Sequence, residues 1–377
     1  MHYIKLLRPP QIERVNRPEG QILKLVLAIT TDLGDSYLSP KEPIDLLVIG
    51  AYAKDGQLVP VNLTTNQRNI PKWKTGMRVL KLDVPFPSQQ HPIATIQVRP
   101  LKRELTCLGT TDIYPPTGKG LIMAAFSDIG GPRDSAVCFR SLRLTPDTQT
   151  LQVEEDMGDS IARHIWDSGI ATASLIADML LTQNGNTQMP MFRSLLQSEQ
   201  QLRILEIGCG IGTLGIAMAR ILGHCSTLPA PEILMTDLPE AEKRARANIA
   251  RQPESVASSL DFESLDWEDG QVGVFGEKVK SQKWDLAVVS DCTYNTDTLL
   301  PLVRTLSAVH GLSKGMSKGE NEGPKVFLAT KSRHSSEREF FDLMARDGWV
   351  IEEEAEVGLP HVDDGGCPVE VYLFGKK

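Results

Sequence analysis

The stretch that decides the fold runs Ile204-Leu-Glu-Ile-Gly-Cys-Gly-Ile-Gly-Thr-Leu-Gly215 and combines the end of a strand, a turn and the start of a helix. The apolar residues before the glycines predict a buried strand, and the apolar run after them predicts a helix. Gly208, Gly210 and Gly212 predict a turn whose backbone can approach a ligand closely, because glycine has no Cβ. The stretch therefore predicts a ligand site at the carboxyl end of a strand.

The kind of ligand depends on Glu206, at the end of the predicted strand. The segment Gly210–Gly215 formally satisfies the G-x-G-x-x-G pattern of dinucleotide sites, but a carboxylate beside it suits a pyrophosphate poorly. A carboxylate instead attracts a ligand with positive charge. S-adenosylmethionine (SAM) carries an ammonium and a sulfonium and no phosphate, so we favour SAM. A nicotinamide cofactor and a turn that only serves helix–strand packing are the two alternatives.

Size and composition are those of a soluble globular chain. The 377 residues, of which 41% are hydrophobic and 23% charged, suggest two domains or one elaborated domain. No apolar run reaches the roughly 18 residues of a spanning helix, and Pro9 and Pro10 interrupt the only basic start that could resemble a signal peptide. We therefore expect an intracellular protein, in the cytoplasm or also in the nucleus, without a membrane partner.

Charge is distributed unevenly along the chain. Residues 1–150 carry a formal net charge of +6 and residues 151–377 carry −14, which together give the net charge of −8. An acidic C-terminal part would repel nucleic-acid phosphates, so we expect no nucleic-acid partner. It fits a basic partner such as a lysine-bearing protein, although acidity that only serves solubility is an equally good interpretation. We expect a monomer, because no large exposed apolar segment is evident.

The six cysteines do not indicate a metal site. They form no C-x-x-C pair, and no histidine lies at finger-like spacing from them. We therefore expect neither zinc nor a disulfide framework.

The pattern of predicted secondary structure changes near residue 150. Short candidate strands separated by turn signals indicate a small β-rich, sandwich-like domain over residues 1–150, a scaffold or partner-recognition module without catalytic clusters. Residues 151–377 alternate strands and helices, which indicates a doubly wound α/β domain with a mostly parallel, seven-stranded Rossmann-like sheet. The predicted strands of this second domain are Arg203–Ile207, Glu232–Thr236, Ser259–Leu265, Asp285–Ser290, Lys325–Ala329, Trp349–Glu354 and Val369–Phe374.

Three further segments place candidate ligand contacts around the glycine turn. Asp237 ends the second strand, where a carboxylate can bind both ribose hydroxyls; helix capping is the alternative. Asp266 and Trp267 follow the third strand and can contact an adenine, unless the Trp267 ring belongs to the core. Trp166 precedes the glycine strand and can cover a bound nucleotide, unless it too is a core residue.

The acceptor end of the site is expected at Asp291 and Tyr294, after the fourth strand of the sheet. This strand adjoins the first across the switch point of the sheet, so both side chains should face the ligand crevice. A carboxylate can hold an amine by hydrogen bonds, and an aromatic face tolerates a cation. The alternative is a structural aspartate with a packed tyrosine.

Together these residues resemble the seven-β-strand protein-lysine methyltransferases, in the branch related to elongation-factor and chaperone methyltransferases. The matching pieces cover residue 155 to the end: Trp166–Gly169, Leu205–Gly212, Thr236–Pro239, Leu265–Trp267 and Asp291–Tyr294. The resemblance implies that Glu206, Gly208, Gly210, Asp237, Asp266 and Trp267 line a SAM pocket and that Asp291 and Tyr294 lie at its acceptor end. The β-rich N-terminal part departs from the shorter members of this branch.

The sequence thus predicts a SAM-dependent methyltransferase that acts on a lysine amine of a protein, by direct displacement and without a metal. Asp291, which also borders the predicted SAM pocket, should position the amine. A methyltransferase of a small-molecule amine, a catalytically silent binding module on the same fold and a nicotinamide oxidoreductase are the competing hypotheses.

Overall fold

The computed structural model describes most of the chain, and it gives both the predicted sheets and strands that the sequence did not indicate. The described residues are 1–14, 20–54, 57–64, 70–86, 92–115, 118, 120–129, 136–144, 150–157, 163–182, 188–225, 229–316, 323–361 and 367–377. Over these ranges, every helix is too short or too polar to cross a membrane.

The N-terminal part of the described chain consists of two sheets that pack against each other. The first contains β1 (His2–Leu6), β2 (Gln11–Arg14), β3 (Gln21–Thr30), β7 (Leu80–Phe86), β9 (Thr106–Cys107) and β10 (Ile122–Met123). The second contains β4 (Ile44–Lys54), β5 (Gln57–Asn62), β6 (Lys72–Trp73), β8 (Ile93–Pro100), β11 (Ala125–Asp128), β12 (Val137–Arg143) and β13 (Thr150–Asp156). Buried side chains of both sheets, among them Leu25 and Val48, share one apolar core. The expected β-rich, sandwich-like region is therefore present.

Strand β13 carries this region beyond the predicted boundary at residue 150. The strand pairs with β12 along its whole length, from Arg143–Thr150 to Val137–Asp156. The sequence did not indicate this strand, because its polar and acidic residues resemble a linker. In the structure Leu151 and Val153 are buried, and buried Glu155 pairs with Arg140 of β12, which offsets the cost of its charge.

The C-terminal part is built on the predicted seven-stranded sheet. Its strands are β14 (Arg203–Ile207), β15 (Glu232–Asp237), β16 (Leu260–Ser264), β17 (Leu286–Ser290), β18 (Lys325–Thr330), β19 (Trp349–Val357) and β20 (Val369–Lys376). Across the sheet the order is β16-β15-β14-β17-β18-β20-β19, and β20 runs antiparallel to both of its neighbours. The order reverses between β14 and β17, so the crevice of an open α/β sheet is expected there. This topology confirms the expected Rossmann-like α/β class.

Helices cover both faces of this sheet. They are α1 (Asp167–Leu181), α2 (Pro190–Leu196), α3 (Thr213–His224), α4 (Pro239–Ala250), α5 (Glu254–Ala257), α6 (Trp267–Gly270), α7 (Glu277–Lys280), α8 (Leu299–Gly315) and α9 (Glu339–Arg346). Alternate residues of β14 serve the two faces: Ile204 joins the core of α1 and α3, and Leu205 joins the core of α8 and α9.

The two parts of the chain share an apolar core. Tyr3, Met123 and Leu142 from the N-terminal sheets belong to the same buried cluster as Ile170 of α1 and Ile216 of α3. The N-terminal part therefore covers the α1–α3 face of the C-terminal part. The division of roles between the two parts stays a prediction.

Candidate active site

A cavity of about 1010 Å³ opens at the carboxyl ends of the central parallel strands. This volume is at the upper end of the roughly 300–1,000 Å³ of small-molecule sites. Most predicted contact residues line the cavity, namely Trp166, Glu206, Gly208, Gly210, Asp237, Asp266, Trp267, Asp291 and Tyr294. The sheet topology brings these residues together because the carboxyl ends of parallel strands meet at one edge.

The glycine turn adopts a backbone that side chains would disturb. Gly208 and Gly210 have φ angles of 74° and 54°, in the left-handed region. A Cβ on Gly208 would lie 2.3 Å from the Sγ of Cys292, so this position has room for glycine alone. Gly212 was expected to contact the cofactor, but it is absent from the cavity lining and packs behind the turn, where a Cβ would lie 3.0 Å from Met235. Its role here is to start α3 with a φ of 83°.

Glu206 lies at the floor of the cavity and is 2% exposed. Its Oε2 accepts a hydrogen bond from the backbone N–H of Gly215, at 3.1 Å. Burial raises the pKa of this carboxyl to about 8, and the nearby charge of Asp237 acts in the same direction. A buried carboxyl with spare acceptor positions in a cavity is suited to receive a cationic group of a ligand.

Asp237 fastens the glycine turn from the end of β15. Its Oδ2 accepts a hydrogen bond from the N–H of Gly210 at 2.7 Å, and its Oδ1 accepts one from the N–H of Leu238 at 2.7 Å. Helix α4 begins with Pro239, and no side chain caps it. The alternative in which Asp237 only caps this helix is therefore not what the structure shows, and the carboxylate lines the cavity floor beside the glycine turn.

Asp266 and Trp267 form the wall beyond β16. Asp266 caps the short helix α6 by accepting a hydrogen bond from the N–H of Glu268 at 2.9 Å. Trp267 packs partly buried against the core under α8, and its ring also borders Gly208. Both residues have a structural role and a position on the cavity, so neither of the two interpretations of Trp267 excludes the other.

Asp291 and Tyr294 follow β17, the strand next to β14, and line the same cavity as Glu206. Asp291 is buried, and its φ of 53° is the one positive value at a non-glycine residue of the described chain. Its carboxylate accepts hydrogen bonds from the N–H of Ser168 at 3.0 Å, the N–H of Lys331 at 3.2 Å and the guanidinium of Arg333 at 3.2 Å. Burial raises its pKa, whereas Arg333 lowers it. Tyr294 is 53% exposed at the mouth.

The sequence did not indicate two contributions to this cavity. Arg333, after β18, pairs with Asp291, and its guanidinium lies over the ring of Trp166 at 5.2 Å. Leu33 and Asp35, in the turn after β3, bring the N-terminal part to the same cavity. The sequence Asp32-Leu-Gly34 is typical of a turn, but nothing in its composition indicates that this turn lies at the cavity.

The cysteine beside the glycine turn is a buried thiol. Burial raises the pKa of Cys292, so the side chain beside Gly208 stays a thiol that fills space. All six cysteines are free. Throughout the described ranges, no three His, Cys, Asp or Glu residues are grouped so that they could hold a metal ion.

Comparisons with known proteins agree with this geometry. A family model described as lysine methyltransferase matches residues 145–347. A Schizosaccharomyces pombe protein of the UPF0665 family is 23% identical over the whole chain and 99% of its own length. The Saccharomyces cerevisiae protein-lysine N-methyltransferase EFM2 is 24% identical over 57% of this chain, which spans about half (48%) of the yeast protein.

Solved structures are more distant. A glycopeptide N-methyltransferase complexed with SAM has 11% identity and a TM-score of 0.34, over 52% of this chain and 90% of its own. The fold assignment therefore rests on the strand order and on the family match. That match also confirms SAM as the expected cofactor.

Proposed function

Because the chain belongs to the lysine methyltransferase family, we propose that it transfers a methyl group from SAM to a lysine side chain of a protein. One observation carries the proposal. The chain matches this family, and its cavity combines a floor suited to the methyl donor SAM with a wall suited to the methyl-accepting amine. The floor consists of the glycine turn, Glu206 and Asp237, and the wall consists of Asp291 and Tyr294.

The floor residues fit SAM in charge and in shape. Gly208 and Gly210 line the cavity without a Cβ, so their backbone can approach a ligand closely. Glu206 offers a carboxyl to the cationic methionine end, and Asp237 offers acceptor oxygens to the ribose hydroxyls. Asp266 and Trp267 form the wall that suits the adenine, and Trp166 covers the opposite side. When bound, SAM supplies an electrophilic methyl group on a sulfonium.

The wall residues suit an amine acceptor. Free lysine has a pKa of ~10.4, so only about 0.04% is neutral at pH 7, and the site must favour the neutral amine. A half-buried mouth lowers the pKa of an entering ammonium by desolvation, as does any neighbouring positive charge. Asp291 then orients the amine by accepting its hydrogen bonds, and the exposed ring of Tyr294 lines the approach. Alignment of this kind contributes several kcal/mol to catalysis.

Radiolabelled SAM, incubated with the chain and fractionated cell extract, tests the proposal directly. We expect label on a protein band, and mass mapping should place it on lysine. Label confined to small molecules would instead favour a small-amine methyltransferase. Absence of SAM binding in calorimetry would favour a silent binding module.

Donor affinity should depend on pH through Glu206. The carboxyl has a pKa of about 8 in the donor-free protein, so it is mostly protonated at pH 6 to 7. A cationic ligand favours the ionised form, hence binding releases a proton and tightens as the pH rises toward 8, by up to about tenfold per pH unit. Calorimetry from pH 6 to 8.5 measures this trend.

Glu206→Gln is the matched control for that trend, because glutamine keeps the shape and cannot ionise. We expect it to weaken SAM binding and to flatten the pH dependence. An unchanged slope in this variant would assign the titration to another group, such as the amino group of SAM itself.

The acidic C-terminal charge supports a protein acceptor rather than a nucleic acid. We extend the proposal to a monomer that acts in the cytoplasm or the nucleus. Light scattering of the purified chain and imaging of a tagged copy test these two points.

A further inference from the structure

A buried ionic network joins the N-terminal part to the acceptor wall. Three carboxylates, Asp32, Asp167 and Asp291, pair with the side chains of Lys331 and Arg333, and Asp167 also pairs with the N-terminal ammonium of Met1. The carboxylate side chains are at most 3% exposed and the cationic ones at most 19%. Asp32 and Met1 belong to the N-terminal part, and the other four charged groups belong to the C-terminal part. Charges this well buried interact strongly, because water does not screen them.

Arg333 divides its guanidinium between two of these carboxylates. One nitrogen lies 2.7 Å from Oδ2 of Asp32, and the other lies 3.2 Å from Oδ1 of Asp291. The shorter contact is the one to Asp32. Asp32 also accepts a hydrogen bond from the N–H of Asp167 at 3.3 Å, which ties it to the start of α1. The guanidinium is therefore drawn toward the N-terminal part and away from the acceptor carboxylate.

We propose that Asp32 is a positioning residue for methyl transfer: it holds Arg333 so that the Asp291 carboxylate stays available to the acceptor amine. This inference rests on the proposed function. The amine and Arg333 are both hydrogen-bond donors to Asp291, so they compete for its oxygens. Without the charge of Asp32, the guanidinium would pair with Asp291 alone and would oppose acceptor binding.

The turn after β3 brings the N-terminal part to the cavity. Asp32 precedes Leu33 and Asp35, which line the same cavity. In the turn after β3, Leu33 and Asp35 thus line the cavity, and buried Asp32 pairs with Arg333 next to Asp291. The same segment offers a route by which contacts of a protein substrate with the N-terminal part could affect the acceptor carboxylate.

A double-mutant cycle tests this assignment on the full-length chain. Asp32→Asn should raise the acceptor KM about tenfold, while kcat and SAM affinity change by less than about threefold. In the Arg333→Met background the same substitution should cause no further rise. Asp45→Asn is the matched control, because it removes one N-terminal charge from an exposed pair with Lys72, and neither residue lines the cavity.

Two outcomes would overturn the proposal. One is an unchanged acceptor KM in Asp32→Asn. The other is an equal rise in both backgrounds, which would show that Asp32 acts on the fold rather than through Arg333. Circular dichroism and SAM binding of each variant separate misfolding from a specific effect.

Unfolding measurements test the network without any acceptor and remain informative even if the wild-type chain labels no lysine. The double variant Asp32→Asn with Asp291→Asn leaves Arg333 buried without either carboxylate. We expect the urea midpoint of the double variant to fall by more than the sum of the falls in the two single variants. In the Arg333→Met background we expect the two falls to add without this excess. An excess of equal size in both backgrounds would refute the role of Arg333. Missing label with an intact excess would refute only the proposed function.

Discussion

Asp291→Asn is expected to reduce methyl transfer by at least about 100-fold while SAM affinity stays within about threefold of the wild type. Asparagine has the shape of aspartate and tolerates the φ of 53° at this position. It keeps one acceptor oxygen for the amine but loses the second. Its NH₂ group would face the N–H donors from which the carboxylate now accepts hydrogen bonds. Turnover with labelled SAM and calorimetry measure the two quantities separately.

Asp291→Ala serves as the second variant, since it removes the side chain altogether. It should also abolish turnover, but with some loss of stability, because Arg333 loses one partner in a buried setting. If both variants lost SAM binding in proportion to turnover, Asp291 would be a donor-side or structural residue. Normal turnover in the asparagine variant would remove Asp291 from the acceptor role.

Gly210→Val is expected to weaken SAM binding by about 100-fold or more. A β-branched residue at a φ of 54° is strained by a few kcal/mol, and each 1.4 kcal/mol is worth a factor of ten in affinity. Relief of that strain would move the N–H of residue 210, which donates a hydrogen bond to Asp237 at 2.7 Å. The floor of the cavity would move with it. Calorimetry with SAM and with its demethylated product measures the loss.

Gly223→Val is the matched control, because Gly223 lies near the end of α3 and a Cβ there meets nothing within 4 Å. This variant should bind SAM normally. Retained affinity in Gly210→Val would mean that the turn does not touch the donor. A similar loss in both variants would point to a general effect on α3.

Much of the C-terminal fold was predictable, because buried parallel strands and amphipathic helices have strong local signatures. Arg203–Ile207 was predicted to the residue, and the other six strands differ by one to three residues at their ends. Helix ends were less certain. The helical pattern of the sequence runs from Ile161 to Thr182, but over the described residues α1 begins only at Asp167. Ser335–Arg338 forms a 3₁₀ turn before α9. Termini depend on contacts that a local pattern does not contain.

The donor side of the site was predictable for the same reason. Glu206, Asp237 and Asp266 each follow a recognisable strand, so topology alone places them at one edge. Arg333 and Asp32 follow strands as well, but they are 301 residues apart, and no local pattern indicates that they form an ion pair. The short strands β1 and β13 have no clear sequence signature, because tertiary pairing, rather than a long apolar alternation, holds them in place.

The apolar cluster that unites Tyr3 and Met123 with α1 and α3 has a consequence for how such a chain can change over generations. If the C-terminal part folded without apolar contacts to the N-terminal part, another N-terminal part could replace the present one and bring new protein targets in one step. Here the N-terminal part forms one side of the apolar core, so its replacement would expose the apolar faces of α1 and α3 to water. New targets are more readily reached by altering the exposed residues of the turn after β3, namely Leu33, Asp35, Ser36 and Tyr37, while buried Asp32 and that side of the core stay unchanged.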